Sequence, residues 1–522
     1  MKPKRAAGTT LRSDRVIVIG AGIGGLAAAI DLSAKGFDVT VLERAATPGG
    51  KLREIAIGDV RIDAGPTVFT MRWVFDELLQ ASGTCLDEHL TLERADVLAR
   101  HVWQDDQRLD LYADVERSAD AVARLAGADE ATRYRRFCRQ AQRTYHKLLE
   151  PFIRSARPSI ASLVSHVGLT HIADLWRIKP FATLWAELGS RFRDPRLRQL
   201  FGRYATYCGS SPFEAPATLM LIAHVEREGV WLVDGGMVRL AQALERVGKA
   251  NGVEFQYGCE VAEIIIARAR TTGVKLADGR TIHADSVVSN ADLSALGAGL
   301  FGAAASGATT RLPRSTRSLS ALTWAIVGRT RGFPLTRHNV FFGADYRAEF
   351  DAAFARGRLP AEPTVYVCAQ DRGGRVDRTA DAERLFCLVN APPIGDRHSF
   401  EPGEVARCED RTFERLQRAG LWVERTPQNC RVTTPNDFER LFPSSGGALY
   451  GRSTHGWSAA FARQRARSRI PGLYLAGGGT HPGPGLPMAA LSGRMAAASL
   501  LADRVSRPRF HPAAIVGGTP TR

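Results

Sequence analysis

No Cys-x-x-Cys pair occurs among the eight cysteines, Cys85, Cys138, Cys208, Cys259, Cys368, Cys387, Cys408 and Cys430. Their scatter argues against zinc ribbons, iron–sulfur ligation and a disulfide framework, so reduced thiols and no bound metal are expected. Long apolar runs are missing too. The longest uncharged one near the N-terminus, residues 16–30, is shorter than the roughly 18 residues that a membrane span needs. Ahead of it, MKPKRAAGTTLRSD holds no apolar signal core with a small-residue cleavage site, which makes a cytoplasmic location the expectation. Nothing repeats at a period of about 20 to 50 residues, so a solenoid is not indicated. What remains is an ordinary globular composition, 44% hydrophobic and 24% charged over 522 residues. At about 150 residues per domain, that length supports several structural units.

Acidic residues are scarce in one region. Between residues 133 and 204, 15 Lys and Arg stand against four acids, Glu150, Asp174, Glu187 and Asp194, so this stretch carries +11 of the net +16. It also carries Phe152, Ile153, Leu163, Val164, Val167, Leu169, Ile172, Leu175, Trp176, Phe181, Leu184, Trp185 and Leu188. Basic and apolar residues mixed in this way suit helices on an anionic lipid surface, and equally a solvated basic face over a helical core. No helix-turn-helix, finger or RRM signature accompanies the charge, so nucleic acid is not an expected partner.

Residues 16–19 form a β-branched run, followed by Gly20-Ala21-Gly22-Ile23-Gly24-Gly25 and a helix-forming series over 26–35 closed by Gly36. With 50 glycines in the chain, a bare G-x-G-x-x-G arises by chance about once in every two such sequences, so context must decide. A second match, Gly297, Gly299 and Gly302, has no β-branched run directly before it and no acid after it until Asp345, and is rejected. The first leads into a second strand, Asp38-Val39-Thr40-Val41-Leu42-Glu43, which ends in an acid at the distance a dinucleotide site requires. Gly20 then allows the sharp turn, Gly22 lets backbone approach a pyrophosphate, and Gly25 permits close packing of helix on strand. The phosphate would meet the helix N-terminus. Glu43 would accept hydrogen bonds from ribose hydroxyls and disfavour a 2′-phosphate.

Beyond Glu43 come Arg44-Ala45-Ala46-Thr47-Pro48-Gly49-Gly50-Lys51-Leu52 and Asp63-Ala64-Gly65-Pro66-Thr67. A Gly-Gly-Lys turn directly after the ribose acid resembles the extended site of the glutathione-reductase-like flavoproteins, which implies a buried FAD rather than NAD. Near the C-terminus, residues 472–476 read as strand, 477–488 as a glycine loop and 489–502 as an Ala-rich helix. That loop suits the flavin O2/N1 edge, where charge develops on reduction. Between the two, Asp234-Gly235-Gly236-Met237 leads into a helix and residues 253–261 read as strand. Residues 273–276, 281–283 and 286–289 read as a β-meander closing at Asn290-Ala291-Asp292, with Val261 where backbone meets adenine. The expected fold is α/β, a Rossmann-type FAD-binding domain in three stretches (14–80, 225–295 and 465–504). A helical, membrane-facing insertion (81–224), an α+β substrate domain (296–464) and flexible tails (1–13 and 505–522) complete it. The expected cofactor residues are Gly20, Gly22, Gly24, Gly25, Glu43, Arg44, Gly50, Lys51, Leu52, Pro66, Thr67, Val261, Gly477, Gly478, Leu486, Pro487 and Met488.

The first glycine fingerprint, the Asp63-Ala64-Gly65-Pro66-Thr67 turn and the Thr480-His481-Pro482-Gly483 loop together resemble the carotenoid desaturases of the flavin amine oxidase superfamily, over nearly the whole chain. Within them, DAGPTVFTMRWVF (63–75) and Leu486-Pro487-Met488-Ala489-Ala490 look most like the hydroxycarotenoid 3,4-desaturases, or methoxyneurosporene dehydrogenases, with phytoene desaturases next. The resemblance implies a hydrophobic C40 carotenoid substrate, hydride transfer to flavin N5 with loss of an adjacent proton, and peripheral contact with the inner membrane. No general base stands out. His481, Glu150 and Arg154 are weak candidates, the last two also reading as an i,i+4 surface ion pair. Lys51 reads as a charge near the flavin or its phosphates. Asn290 and Asp292 read as turn residues at least as readily as ligands. A flavin-dependent carotenoid isomerase, a non-enzymatic isoprenoid escort like the Rab GDP-dissociation inhibitors, and an amine oxidase stand as alternatives. The electron acceptor and oligomeric state leave no trace in the sequence.

Overall fold

The computed structural model describes residues 14–104, 107–159, 182–374 and 382–506. The expected tails thus lie outside the described residues, apart from Val505 and Ser506, and so do residues 160–181 of the basic stretch. Five parallel strands make the central sheet, in the order Leu473–Leu475, Ser286–Ser289, Arg15–Ile19, Asp38–Glu43 and Glu254–Tyr257. Val16, Ile17, Val18 and Ile19 are all buried, at 5% exposure or less, as befits a parallel strand covered on both faces. Val16 and Val18 pack among the helices Ile23–Ala34, Val238–Ala250 and Leu486–Val505, while Ile17 and Ile19 pack against a three-stranded sheet. The strands of that smaller sheet are Val261–Ala267, Arg270–Leu276 and Thr281–His283.

Two local expectations are corrected here. Residues 253–261 are not one strand: the chain turns at Gly258 (φ 66°), and Val261 opens a strand of the smaller sheet. Ser286–Ser289 leaves the meander and inserts between Arg15–Ile19 and Leu473–Leu475. All four of its residues are buried, a pattern that an edge of a three-stranded meander could not provide.

A seven-stranded sheet forms the second half, in the order Cys430–Thr433, Ser320–Gly328, Glu383–Ala391, Val365–Ala369, His338–Phe341, Val97–Val102 and Arg108–Tyr112. Residues 81–224 are therefore not wholly helical, because Val97–Val102 pairs parallel with His338–Phe341 and extends this sheet. Helices follow. Asp114 caps Val115–Ala126 by accepting from Arg117 N at 2.8 Å, Gly127 (φ 92°) breaks it from Ala128–Leu148, and Asp194 with Pro195 starts Pro195–Gly202.

Asp63 ties the halves together. Its carboxylate accepts from Met237 N (2.7 Å) and Val238 N (3.2 Å) at the start of Val238–Ala250, while its backbone exchanges two hydrogen bonds with the Gln370 amide beyond Val365–Ala369.

The basic stretch is less exposed than its charge count suggests. Ile153, Leu184 and Leu188 are buried in the interior, Phe152 stacks edge-on against Phe461, and Trp185 packs on Phe213. Several of its arginines meet acids that lie outside it, Arg133 with Glu130, Arg135 with Glu116 and Arg154 with Glu77. Arg136, Arg139 and Arg143 remain exposed on one face of Ala128–Leu148.

Candidate active site

One cavity of about 960 Å³ runs from the first glycine loop into the space under the seven-stranded sheet. Among the residues expected at a cofactor, Gly20, Gly22, Gly24, Glu43, Arg44, Gly50, Lys51, Leu52, Pro66, Thr67, Val261, Gly477, Gly478, Leu486, Pro487 and Met488 line it. Gly25 does not. It lies behind the loop, where a Cβ would come within 2.1 Å of Gly20 O. Asn290 sits where two glycine loops meet: its side chain would contact a Cβ at Gly22, Gly24 or Gly477 within 3.0 Å, and its Nδ2 donates to Gly20 O at 3.4 Å. The first loop also packs against Gly493 of the C-terminal helix, whose added Cβ would come within 2.1 Å of Gly24 O.

The donor set fits an anionic dinucleotide. Helices Ile23–Ala34 and Leu486–Val505 both begin at the cavity with glycine N-caps, no side-chain cap and no acid in the first turn. Their free N–H groups are left for an anion or a carbonyl edge. Glu43 is buried, with Oε2 accepting from Ala21 N (2.7 Å) and Oε1 from Ala45 N (2.8 Å). Each oxygen keeps a lone pair that a ribose hydroxyl could use. Lys51 is held in place: Nζ donates to Leu449 O at 2.9 Å and lies 3.5 Å from Asp292 Oδ2, which itself belongs to the residue capping Leu293–Gly297.

Beyond these residues the wall turns apolar, with Val68, Leu148, Phe152, Ile153, Leu219, Ile222, Val225, Phe386, Leu388 and Phe461. Polar residues such as Thr323, Thr364 and Asn390 interrupt it, and two hydrogen-bonded polar groups bear on the chemistry. One is a chain in which Thr67 Oγ1 bonds Tyr366 OH at 2.7 Å and Tyr366 OH bonds His338 Nδ1 at 2.7 Å. Burial, with the Arg337 and Arg203 charges adding to it, lowers His338 to about 3, so its ring is neutral. The other is a cluster of the buried Arg203, Tyr204 and Glu226 with the half-buried Tyr207.

The weak catalytic candidates fall outside the cavity wall. Glu150 is 64% exposed in its side chain and pairs with Arg154 at 3.2 Å, and Arg154 also meets Glu77 at 2.6 Å and lies over the Trp73 ring. They form a surface ion-pair network. His481 is buried and its Nε2–H is shared between Phe152 O (2.9 Å) and Ser155 O (3.0 Å), which pins the C-terminal glycine loop to the segment that follows Ala128–Leu148. Burial lowers this imidazole to about 4 from an ordinary 6.5, against the opposing effect of the two carbonyls. Between those values the unfolded chain takes up a proton that the folded chain refuses, so stability falls as pH drops through that window, by about 3 kcal/mol at most. Urea midpoints taken from pH 7 to pH 4.5 should fall less steeply for His481→Gln than for the parent. Equal slopes would show that His481 does not carry this linkage.

Residues 23–323 match the family described as flavin containing amine oxidoreductase. A hydroxyneurosporene desaturase of Rubrivivax gelatinosus is 52% identical over 513 residues, spanning 98% of each chain. The chain belongs to the carotenoid desaturase family. A 1-hydroxycarotenoid 3,4-desaturase of a Flavobacterium is 31% identical over 493 residues, 92% of this chain and 98% of the other. Among solved structures, an oxidoreductase from Methanosarcina mazei shares the fold with a TM-score of 0.60 at 17% identity, over 92% of this chain and 99% of that one. This carotenoid desaturase is accordingly an FAD-dependent oxidoreductase. Arg203, Tyr207, Glu226 and Tyr366 of the desaturase cavity carried no signal in the sequence. In the sequence Arg203 reads as one more cation of the basic stretch, and only its burial distinguishes it.

Proposed function

We propose that the chain desaturates an acyclic C40 carotenoid at C-3,4, acting on a 1-hydroxy or 1-methoxy carotenoid. The observation that carries this reading is a single cavity whose cofactor-fitting end opens directly into a largely apolar chamber. Relatives named for hydroxyneurosporene and for 1-hydroxycarotenoid 3,4-desaturation support the substrate and the bond. Gly20, Gly22, Gly24, Glu43 and Val261 would hold the adenosine diphosphate part of FAD, and Lys51, Pro66, Thr67, Gly477, Gly478 and the start of Leu486–Val505 the flavin. Bound FAD supplies a hydride acceptor at N5. The protein's part is to hold the linear substrate straight and to shield the reacting carbons from bulk water, while a weak acceptor is enough for the departing proton because the polyene-stabilised cation that releases it is acidic.

Burying such a chain gains about 25 cal/mol per Å², but lipid offers it nearly the same, so the chamber cannot simply draw it from the membrane. Extraction calls for a mouth at the bilayer. Trp457, 45% exposed and on the cavity wall, and the exposed Arg136, Arg139 and Arg143 face support peripheral contact with the inner membrane. No described helix is long and apolar enough to cross a membrane.

Purified flavoprotein incubated with liposomes carrying 1-hydroxyneurosporene should shift the visible spectrum to longer wavelength, and liposomes carrying phytoene should not respond. A response to phytoene alone would favour the phytoene desaturase reading. Geometric isomers without a change in chromophore length would favour the isomerase. A colourless protein inactive with added FAD would favour the escort.

A further inference from the structure

We propose that Arg203, set by Tyr207 and Glu226, is the polar subsite that receives the oxygen at the end of the substrate and so selects an oxygenated carotenoid over a hydrocarbon. The inference rests on the desaturase reading above and adds the group that discriminates.

Arg203, Tyr207 and Glu226 all face the cavity, and Arg203 and Glu226 are only 9% and 3% exposed. Charges so deeply placed in an apolar wall are costly unless every hydrogen-bonding group is met. Glu226 is met: Oε2 accepts from Tyr204 OH at 2.7 Å and Oε1 from Tyr207 OH. Arg203 is not. Nη1 donates to Tyr207 OH at a long 3.4 Å, Nη2 stands 3.7 Å from Glu226 Oε1, and neither Nε nor Nη2 has a hydrogen-bond acceptor. Burial opposes the charge, yet the Tyr207 hydroxyl and the Glu226 carboxylate keep the guanidinium protonated. Nε and Nη2 are unpaired but have almost no accessible surface, so a substrate oxygen would meet this guanidinium through Nη1, whose hold on Tyr207 OH is long. A tertiary alcohol and a methyl ether both bring an oxygen lone pair to such a donor, whereas a hydrocarbon end brings none.

The position also suits this role. In a 1-oxygenated carotenoid only one methylene separates the oxygen-bearing carbon from the C-3,4 bond, so the oxygen site must adjoin the reacting centre. Thr67, one of the residues that would hold the flavin, bonds Tyr366, and Tyr366 lines the same cavity as Tyr207 and Arg203. A purely structural role for the same cluster, clamping Ile222–Glu228 to the turn Arg203–Cys208, would affect stability and leave substrate preference alone.

The test compares kcat/KM for 1-hydroxyneurosporene and for neurosporene in liposomes, using FAD-loaded full-length enzyme. Arg203→Met is paired with the double variant Arg203→Met/Glu226→Gln, which leaves no uncompensated carboxylate if the single variant fails to fold. The preference for the hydroxylated substrate should fall about 10- to 100-fold, through loss on that substrate. An equal loss on both substrates, with the preference intact, would overturn the proposal. Equilibrium binding to the oxidised parent enzyme supplies a second measurement: the hydroxylated carotenoid should bind at least about 10-fold tighter than neurosporene, and equal affinities would overturn the subsite. Turnover of both substrates without preference sinks the subsite alone. Absence of turnover with either sinks the desaturase reading, and the binding measurement then still decides the subsite.

Discussion

Gly25→Val should yield protein that emerges with less than about a tenth of the parent's bound flavin. The new Cβ would come 2.1 Å from Gly20 O, 3.2 Å from Val18 Cγ1 and 3.3 Å from Asn290 Cβ. The first of these is backbone and cannot swing aside, so the helix Ile23–Ala34 must move off the strand, at a cost of about 3 kcal/mol or more. That displacement misplaces the uncapped N–H groups of the helix and the glycine loop above them at once. Flavin-to-protein absorbance ratios and thermal unfolding provide the readout. Gly189→Ala is the control, because its Cβ would meet nothing nearer than Arg198 Nη1 at 4.0 Å in the helix Leu184–Arg191. It should be neutral or stabilising by about 0.5 to 1 kcal/mol. If Gly25→Val loaded FAD normally, the close helix-on-strand contact would not be what shapes the site.

Asp63→Ala should cost about 2 to 4 kcal/mol, and the loss should extend to both halves of the molecule. The carboxylate satisfies two N–H groups that open Val238–Ala250, and removing it leaves Met237 N and Val238 N buried without an acceptor. A Cβ at Gly236 would come within 2.8 Å of Asp63 Oδ2, so the turn before the helix is shaped around this side chain. Asp63→Asn should lose less. Burial raises the Asp63 pKa, with the two backbone donors opposing it, so a neutral amide gives up some hydrogen-bond strength but avoids part of the desolvation cost. Denaturant midpoints should therefore rank the parent first, Asn second and Ala last. An Ala variant as stable as the parent would remove Asp63 from its role as the joint between the two sheets.

The two substitutions mark different degrees of legibility. Gly20, Gly22 and Gly25 announce their roles in the sequence because a tight turn and a close approach are demands on consecutive backbone, and only glycine meets them. Asp63 stood out there as part of a turn motif, but its partners, Met237 and Gln370, are far along the chain, so what it caps could not be read. Glu150 and Arg154 show the opposite case, since an i,i+4 spacing on a helix is itself nearly the contact, and the surface pair is what forms. Ser286–Ser289 misled because a short β-branched strand carries no mark of which sheet it joins.

By itself the sequence determined the strand–glycine turn–helix units at the two ends of the chain, the acid after the second strand and with them the cofactor class. Each of these is a short-range requirement of backbone geometry. Which cations are surface and which are interior only the tertiary structure decided. Arg203 differs from Arg136 in no local feature of the sequence. It becomes a buried donor in the cavity wall because Ile222–Glu228 folds back to set Glu226 beside it, and burial is a property of the neighbours a fold supplies.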